Sequence, residues 1–251
     1  MPQVVNPKSG YIVGCNQQVV PLNFKHLVGT AISITGRSYR ANEILRDAVK
    51  NNTKLDLEFM KRMQVENYDA MARELCKLLI PLTEKHVKAY FGPSSTEGKA
   101  IKQLLDILKN WDYVANEDSS GALIFYIWLT EIMDGYLHEQ ISNPAIRRII
   151  VQFNTKEHFI GKWLEKLNKG EGLDHPYCKN PETKGKLHPC AFNVVNSLVK
   201  VKHKIVARFG NTEKNWKWGY YNIVRSLSDA FSSTPLRFLF DRAYLSYVIF
   251  V

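Results

Sequence analysis

Residues Ala122–Leu129, ALIFYIWL, set eight apolar side chains in a row inside a stretch, 119–141, that otherwise reads as one helix. At 3.6 residues per turn such a run covers every side of its helix, so the first half of that helix is expected to be buried all round. The run is about half of the roughly 18 to 20 apolar residues that cross a bilayer, as is 244–251, and neither reads as a membrane span. With 251 residues, 45% of them hydrophobic, the chain can bury one large core.

Other segments supply the helical period. Ile44, Leu45 and Val49 share a face after Arg40, and Asp56 is placed to cap a helix carrying Leu57, Met60 and Met63. Met71, Leu75, Leu78 and Leu79 follow at helical spacing, with Ile80-Pro81 expected to end that helix because proline lacks the donor. Gly92-Pro93-Ser94-Ser95 breaks the chain before Ile101, Leu104, Leu105 and Leu108, a further amphipathic set ending near Trp111-Asp112. Residues 170–190 have no period and read as a loop. Phe192, Val195, Leu198, Val199, Ile205, Val206 and Phe209 then predict a helix closed by Gly210. At the two ends the pattern changes: after the turn NPKSG, residues 11–16 read as a buried strand ending in Asn16, and 244–251 as an apolar strand.

The net charge of +10 attracts polyanions in principle, yet the lysines are scattered and no run of five or six like charges forms a nucleic-acid arm. Nucleic acid is therefore not an expected partner. The first residues, MPQVVNPKSG, show no signal-peptide pattern. Four cysteines are too few for a disulfide scaffold, although one pair can be bridged.

Four stretches, in order along the chain, resemble the C-terminal part of the β-chain in the penicillin acylase (penicillin amidase) family of N-terminal-nucleophile hydrolases. They are NPKSGYIVGCNQQ with GRSYRANEI, then LDLEFMKRMQVENYDAMAREL, then Trp111-Asp112 with Asp118-Ser119, and finally Trp216-Lys217-Trp218-Gly219 with Pro235-Leu236 and Leu239-Phe240. The resemblance implies an α+β fold. The chain, read as a single region over 1–251, is then the helix-rich C-terminal portion of a four-layer αββα sandwich, with a helical lobe at about 40–210 and sandwich strands near 11–16 and 244–251.

For chemistry, the resemblance implies hydrolysis of a linear, non-peptide amide such as an N-acyl compound. In that family an N-terminal serine attacks the carbonyl with its own α-amine as base. An asparagine amide stabilises the oxyanion, and the matching position is Asn16. Arg40 matches the arginine that helps hold the asparagine and nucleophile. From the residues alone, Asn16 reads as a turn residue and Arg40 as a helix-entry charge pairing with Glu43. Removal of Met1 exposes Pro2, which offers no nucleophile, so the nucleophile and any α-chain of the same precursor are expected upstream, and the chain alone is expected to be inactive. Gly14-Cys15-Asn16 also resembles an autoproteolytic junction, a rival that makes Cys15 the nucleophile. A non-catalytic binding or scaffold role is the remaining alternative.

The long loop holds His175, Cys178, His188 and Cys190, which can be read as a zinc site, as free thiols or as a bridge. The resemblance implies a Cys178–Cys190 disulfide and hence an oxidising compartment, extracellular, periplasmic or lysosome-like if a signal precedes the chain. No cofactor is expected. Calcium remains conceivable in a complete enzyme, but no Asp or Glu stands between Gln17 and Tyr39, where relatives place a calcium ligand. The family's histidine after the Trp-Gly pair is Asn222 here. Trp216, Trp218, Tyr220 and Tyr221 are candidates either for an acyl pocket or for core.

Overall fold

The computed structural model describes residues 3–17, 20, 23–26, 28, 36–138, 140–152 and 156–223. Helices α1 to α9 span Gly36–Lys50, Leu57–Gln64, Ala70–Tyr90, Thr96–Lys109, Ser120–Leu137, Pro144–Gln152, Lys156–Asn168, Pro189–Phe209 and Trp218–Tyr221. The all-apolar run sits where its composition requires. Leu123, Ile124, Phe125, Trp128 and Leu129 of α5 are fully buried or nearly so, and α8 lies along α5 while also packing on α3 and α4. Only water-free surroundings tolerate such a helix. The indole of Trp128, fully enclosed, donates from Nε1 to Val194 O at 3.1 Å and to Ser197 Oγ at 2.9 Å, so its one polar atom is satisfied inside the core.

Side chains cap the starts of several helices, and Asp56 does so as expected. The Asp56 carboxylate accepts from Phe59 N at 3.0 Å, Ser95 Oγ from Gly98 N at 3.0 Å and Ser119 Oγ from Ala122 N at 3.1 Å. Gly210, at φ 77°, closes α8 by donating to Val206 O at 2.9 Å.

One expectation fails. Pro81 does not end its helix, since α3 runs on to Tyr90. The proline removes one helical hydrogen bond, at about 3 kcal/mol. Beyond it Leu82, Thr83 and His86 continue the buried stripe begun by Leu75 and Leu79. Each large apolar residue so buried contributes about 1.5–3 kcal/mol, which outweighs the break.

The expected strand at 11–16 is likewise not formed: residues 11–14 are irregular chain and 15–16 a bend. A strand needs a neighbour to take its backbone groups, and among the described residues no strand is present to pair with it. The only ladder-like contact there is an isolated bridge, Tyr68 to Val114. The strand expected at 244–251 lies outside the described residues. Residues 170–190 form the expected loop, which carries two 3-10 turns, Pro176–Cys178 and Pro181–Thr183. Cys178 and Cys190 are joined as a disulfide with Cα atoms 4.8 Å apart, which settles the choice among bridge, thiols and zinc. Inside that loop Asn180 donates to Asn193 Oδ1 at 3.0 Å, and Asn193 donates to Cys178 O at 3.2 Å. The described residues contain no group of three or more metal-ligating side chains and no helix long and apolar enough to cross a membrane.

Candidate active site

The segment carrying Asn16 lies against the start of α1. NPKSG forms the expected turn, with Gly10 N–H donating to Pro7 O at 2.9 Å and Gly10 at φ 75°, a conformation that favours glycine. Beyond it the Tyr11 hydroxyl donates to Asn42 O on α1 at 3.4 Å. Gln17 folds back on its own segment: its Oε1 accepts from Cys15 N at 2.6 Å, and its Nε2 donates to Val13 O. Asn16 sits on this small loop at φ 62°, a left-handed conformation that asparagine tolerates better than most residues. It is exposed.

The guanidinium that reaches Asn16 is that of Arg37. Arg37 Nη2 donates to Asn16 Oδ1 at 3.0 Å. With the amide oxygen taken by Arg37, the Asn16 Nδ2 group is the end of the side chain that can still donate, and it does so at a solvent-exposed position. Arg37 was not singled out from the sequence. The signal lay in GRSYR, where two arginines three apart enter one helix.

Arg40 is engaged elsewhere. Its Nε and Nη2 grip the Glu66 carboxylate at 2.6–3.1 Å, its Nη1 donates to Glu43 Oε2 at 3.3 Å, and its guanidinium lies 4.4 Å from the centre of the Tyr68 ring. The pairing with Glu43, expected from the residues, is present. No hydrogen bond joins Arg40 to Asn16, so the structure does not bring the two predicted site residues into direct contact. Arg73 of α3 extends the network by donating to Glu43 Oε1 at 2.7 Å and Glu74 Oε1 at 2.7 Å. Burial opposes the charge on Glu43, but hydrogen bonds from Arg73 and Arg40 outweigh it and hold the carboxyl below the usual carboxylate value. Hydrogen bonding to Glu66 raises Arg40 further above its ordinary value. The network fastens α1, α3 and Glu66, in the segment between α2 and α3, together.

Cys15, next to Asn16 in the chain, is partly buried and takes no part in a disulfide. Trp216 is fully buried, its Nε1 donating to Gly210 O at 2.8 Å, and belongs to the core. Trp218 stacks on Tyr126 with ring centres 4.7 Å apart, and Tyr126 donates to Asp69, the N-cap of α3. Tyr220 and Tyr221 are exposed on the outer side of that stack. A separate open groove of about 800 Å³ between α4 and the start of α5 is lined by residues such as Lys99, Lys102, Asp106 and Glu213. None of the predicted site residues lines it.

The chain belongs to the penicillin amidase family, whose model matches residues 1–246. It is therefore, by family, an amide hydrolase. No curated protein matches the chain.

Proposed function

We propose that this chain supplies the oxyanion-binding part of a hydrolase of linear, non-peptide amides, with Asn16 Nδ2 as the donor and with the N-terminal nucleophile contributed by sequence outside residues 1–251. One observation carries this reading: Arg37 occupies the Asn16 carbonyl at 3.0 Å, which fixes the orientation of the amide and leaves its N–H groups for an incoming oxyanion. A preoriented donor stabilises charge that develops only in the transition state, and removing one such donor costs about 10²–10³ in kcat. Arg40 through Glu66, and Glu43 through Arg73, anchor the helix from which Arg37 reaches. The αββα sandwich remains part of this proposal, with residues 11–16 as a strand once a neighbouring strand is supplied.

The test has two arms. Chain 1–251 alone, offered a panel of chromogenic N-acyl amides, gives no turnover; turnover abolished by Cys15→Ala transfers the reading to the thiol. In the protein joined to its nucleophile-bearing part, Asn16→Ala lowers kcat by about 10²–10³ with KM little changed. An unchanged kcat removes Asn16 from catalysis. The second reading, a binding or scaffold protein derived from the family, is favoured by the solvent exposure of Asn16, and absence of amidase activity in the joined protein selects it.

A further inference from the structure

His86 on α3 and His188 at the entry to α8 meet edge to face, with ring centres 5.9 Å apart. Each has a buried ring nitrogen without a hydrogen-bond partner, Nε2 of His86 and Nδ1 of His188. Buried polar nitrogens left unpaired are uncommon. Here they sit where the disulfide-closed loop is pinned to α3: the Tyr90 hydroxyl donates to Leu187 O at 3.1 Å and to His188 O at 3.2 Å, and the Tyr90 ring packs edge-on against Phe192. We propose that the His86–His188 contact is an acid-sensitive latch, which holds the ends of loop 170–188 on α3 while the buried His86 ring is neutral and lets them go when acid protonates it.

The surroundings of the two rings decide the direction. His86 is buried, and the charges acting on it are Lys85 on its own helix and His188 opposite, both of the wrong sign to support an imidazolium. Tyr90 stacks beside it and is uncharged in this range. Burial first, then Lys85 and His188, hold the His86 imidazole below its usual value, so the released state takes up the proton more readily than the docked state. Falling pH therefore favours release.

His188 is the N-cap of α8 and holds φ 61° without capping that helix through its side chain. Across from it stands Asp174, with Oδ1 3.8 Å from Nδ1, close to a full ion pair but short of a hydrogen bond. Lys186 lies over the Phe192 ring at 4.9 Å. Asn180, bonded to Asn193 and Gly135, and the disulfide are unaffected by this titration, so the loop loosens at its ends and stays tethered at its centre.

Amide hydrogen exchange on the 251-residue chain, with the disulfide oxidised, tests this at pH 7.5 and pH 5.0 after correction for intrinsic exchange. Peptides covering 171–176 and 184–188 are expected to exchange at least about ten-fold faster at pH 5.0, with those from α5 unchanged. His86→Phe keeps an aromatic ring against Tyr90 and abolishes the difference. His188→Asn, which accepts a left-handed backbone, does the same and reads the idea if His86→Phe does not fold. Equal protection of the wild-type chain at both pH values, or a pH response that persists in a folded variant, overturns the latch.

Discussion

Between α3, α5 and α8 the large side chains are sealed: Leu79, Trp128 and Leu198 are fully buried, and every polar atom that Trp128 brings with it is bonded. Among the described residues from Val4 to Val65 the balance shifts, with Ser38, Leu45 and Ala48 of α1 buried. Leu57 is 69% exposed, Val65 79% and Val5 81%, and α2 buries no residue at all. Beside the small buried face of α1, charge fastens these residues, through the Arg40, Glu66, Glu43, Arg73 and Glu74 chain of ion pairs. Area removed from water is a dense and salt-insensitive source of stability, whereas partly exposed ion pairs each contribute little and are screened. The two regions should therefore answer different perturbations, and the proposed chemistry lies in the weaker one.

The largest expected effect is in the sealed region. Trp128→Ala removes the central indole, and the cavity left behind should cost about 3–5 kcal/mol. Urea unfolding measures it, and a loss below about 1 kcal/mol would mean that α5 is not the centre of the core. Breaking the Cys178–Cys190 bridge, as Cys178→Ser with Cys190→Ser, comes next at roughly 3 kcal/mol for a loop of this length. A midpoint unmoved by dithiothreitol would contradict it.

Most of the sealed region was legible in the sequence because its signals are local. Leu104, Leu105 and Leu108 recur at helical spacing on the buried side of α4, and the all-apolar run 122–129 admits one environment. Pro81 misled because a local rule was outweighed by long-range burial of Leu82 and His86. In the candidate site the decisive contacts are distant. Nothing in the spacing of Asn16, Arg37 and Arg40 says which guanidinium the asparagine meets. The answer depends on Glu66, 26 residues beyond Arg40, which captures Arg40 and leaves Arg37 for the amide. Asn16 itself is a candidate through the resemblance alone, since an exposed asparagine on a loop carries no other mark.

A third substitution probes close packing at the seam of α3 and α4. Gly98 in the first turn of α4 faces the Gly92 carbonyl so closely that a Cβ would strike backbone, which cannot rotate away. Gly98→Ala should therefore cost about 1–3 kcal/mol, despite alanine's better helix propensity. A gain in thermal midpoint would show that the Gly92–Ser95 turn yields.

The charge-held region should respond to acid instead. Glu43 and Glu74 have folded carboxyls below their ordinary value, so the stability they contribute is complete above about pH 4.5 and is lost as pH falls from there toward the folded values. Glu43→Gln removes its share, about 1–2 kcal/mol at neutral pH, and flattens the acid limb of the stability curve between roughly pH 5 and 3. Raising salt should weaken the wild-type chain more than the variant. Parallel curves for the two would show that the network adds nothing.

The smallest effect is expected on α2, and its smallness is the informative part. Leu57 and Met60 are exposed at 69% and 42%, and the helix buries no side chain in this chain. Replacing Leu57 by Ser removes no buried contact, so stability should change by no more than about 0.5 kcal/mol, whereas the same change at Leu79, fully buried, should cost several-fold more. Equal losses at the two positions would mean that α2 is packed after all, and the contrast between a sealed core and a charge-held flank would fail. A near-zero loss at Leu57, measured beside a large one at Leu79, keeps the contrast and assigns the apolar face of α2 no part in holding these residues together.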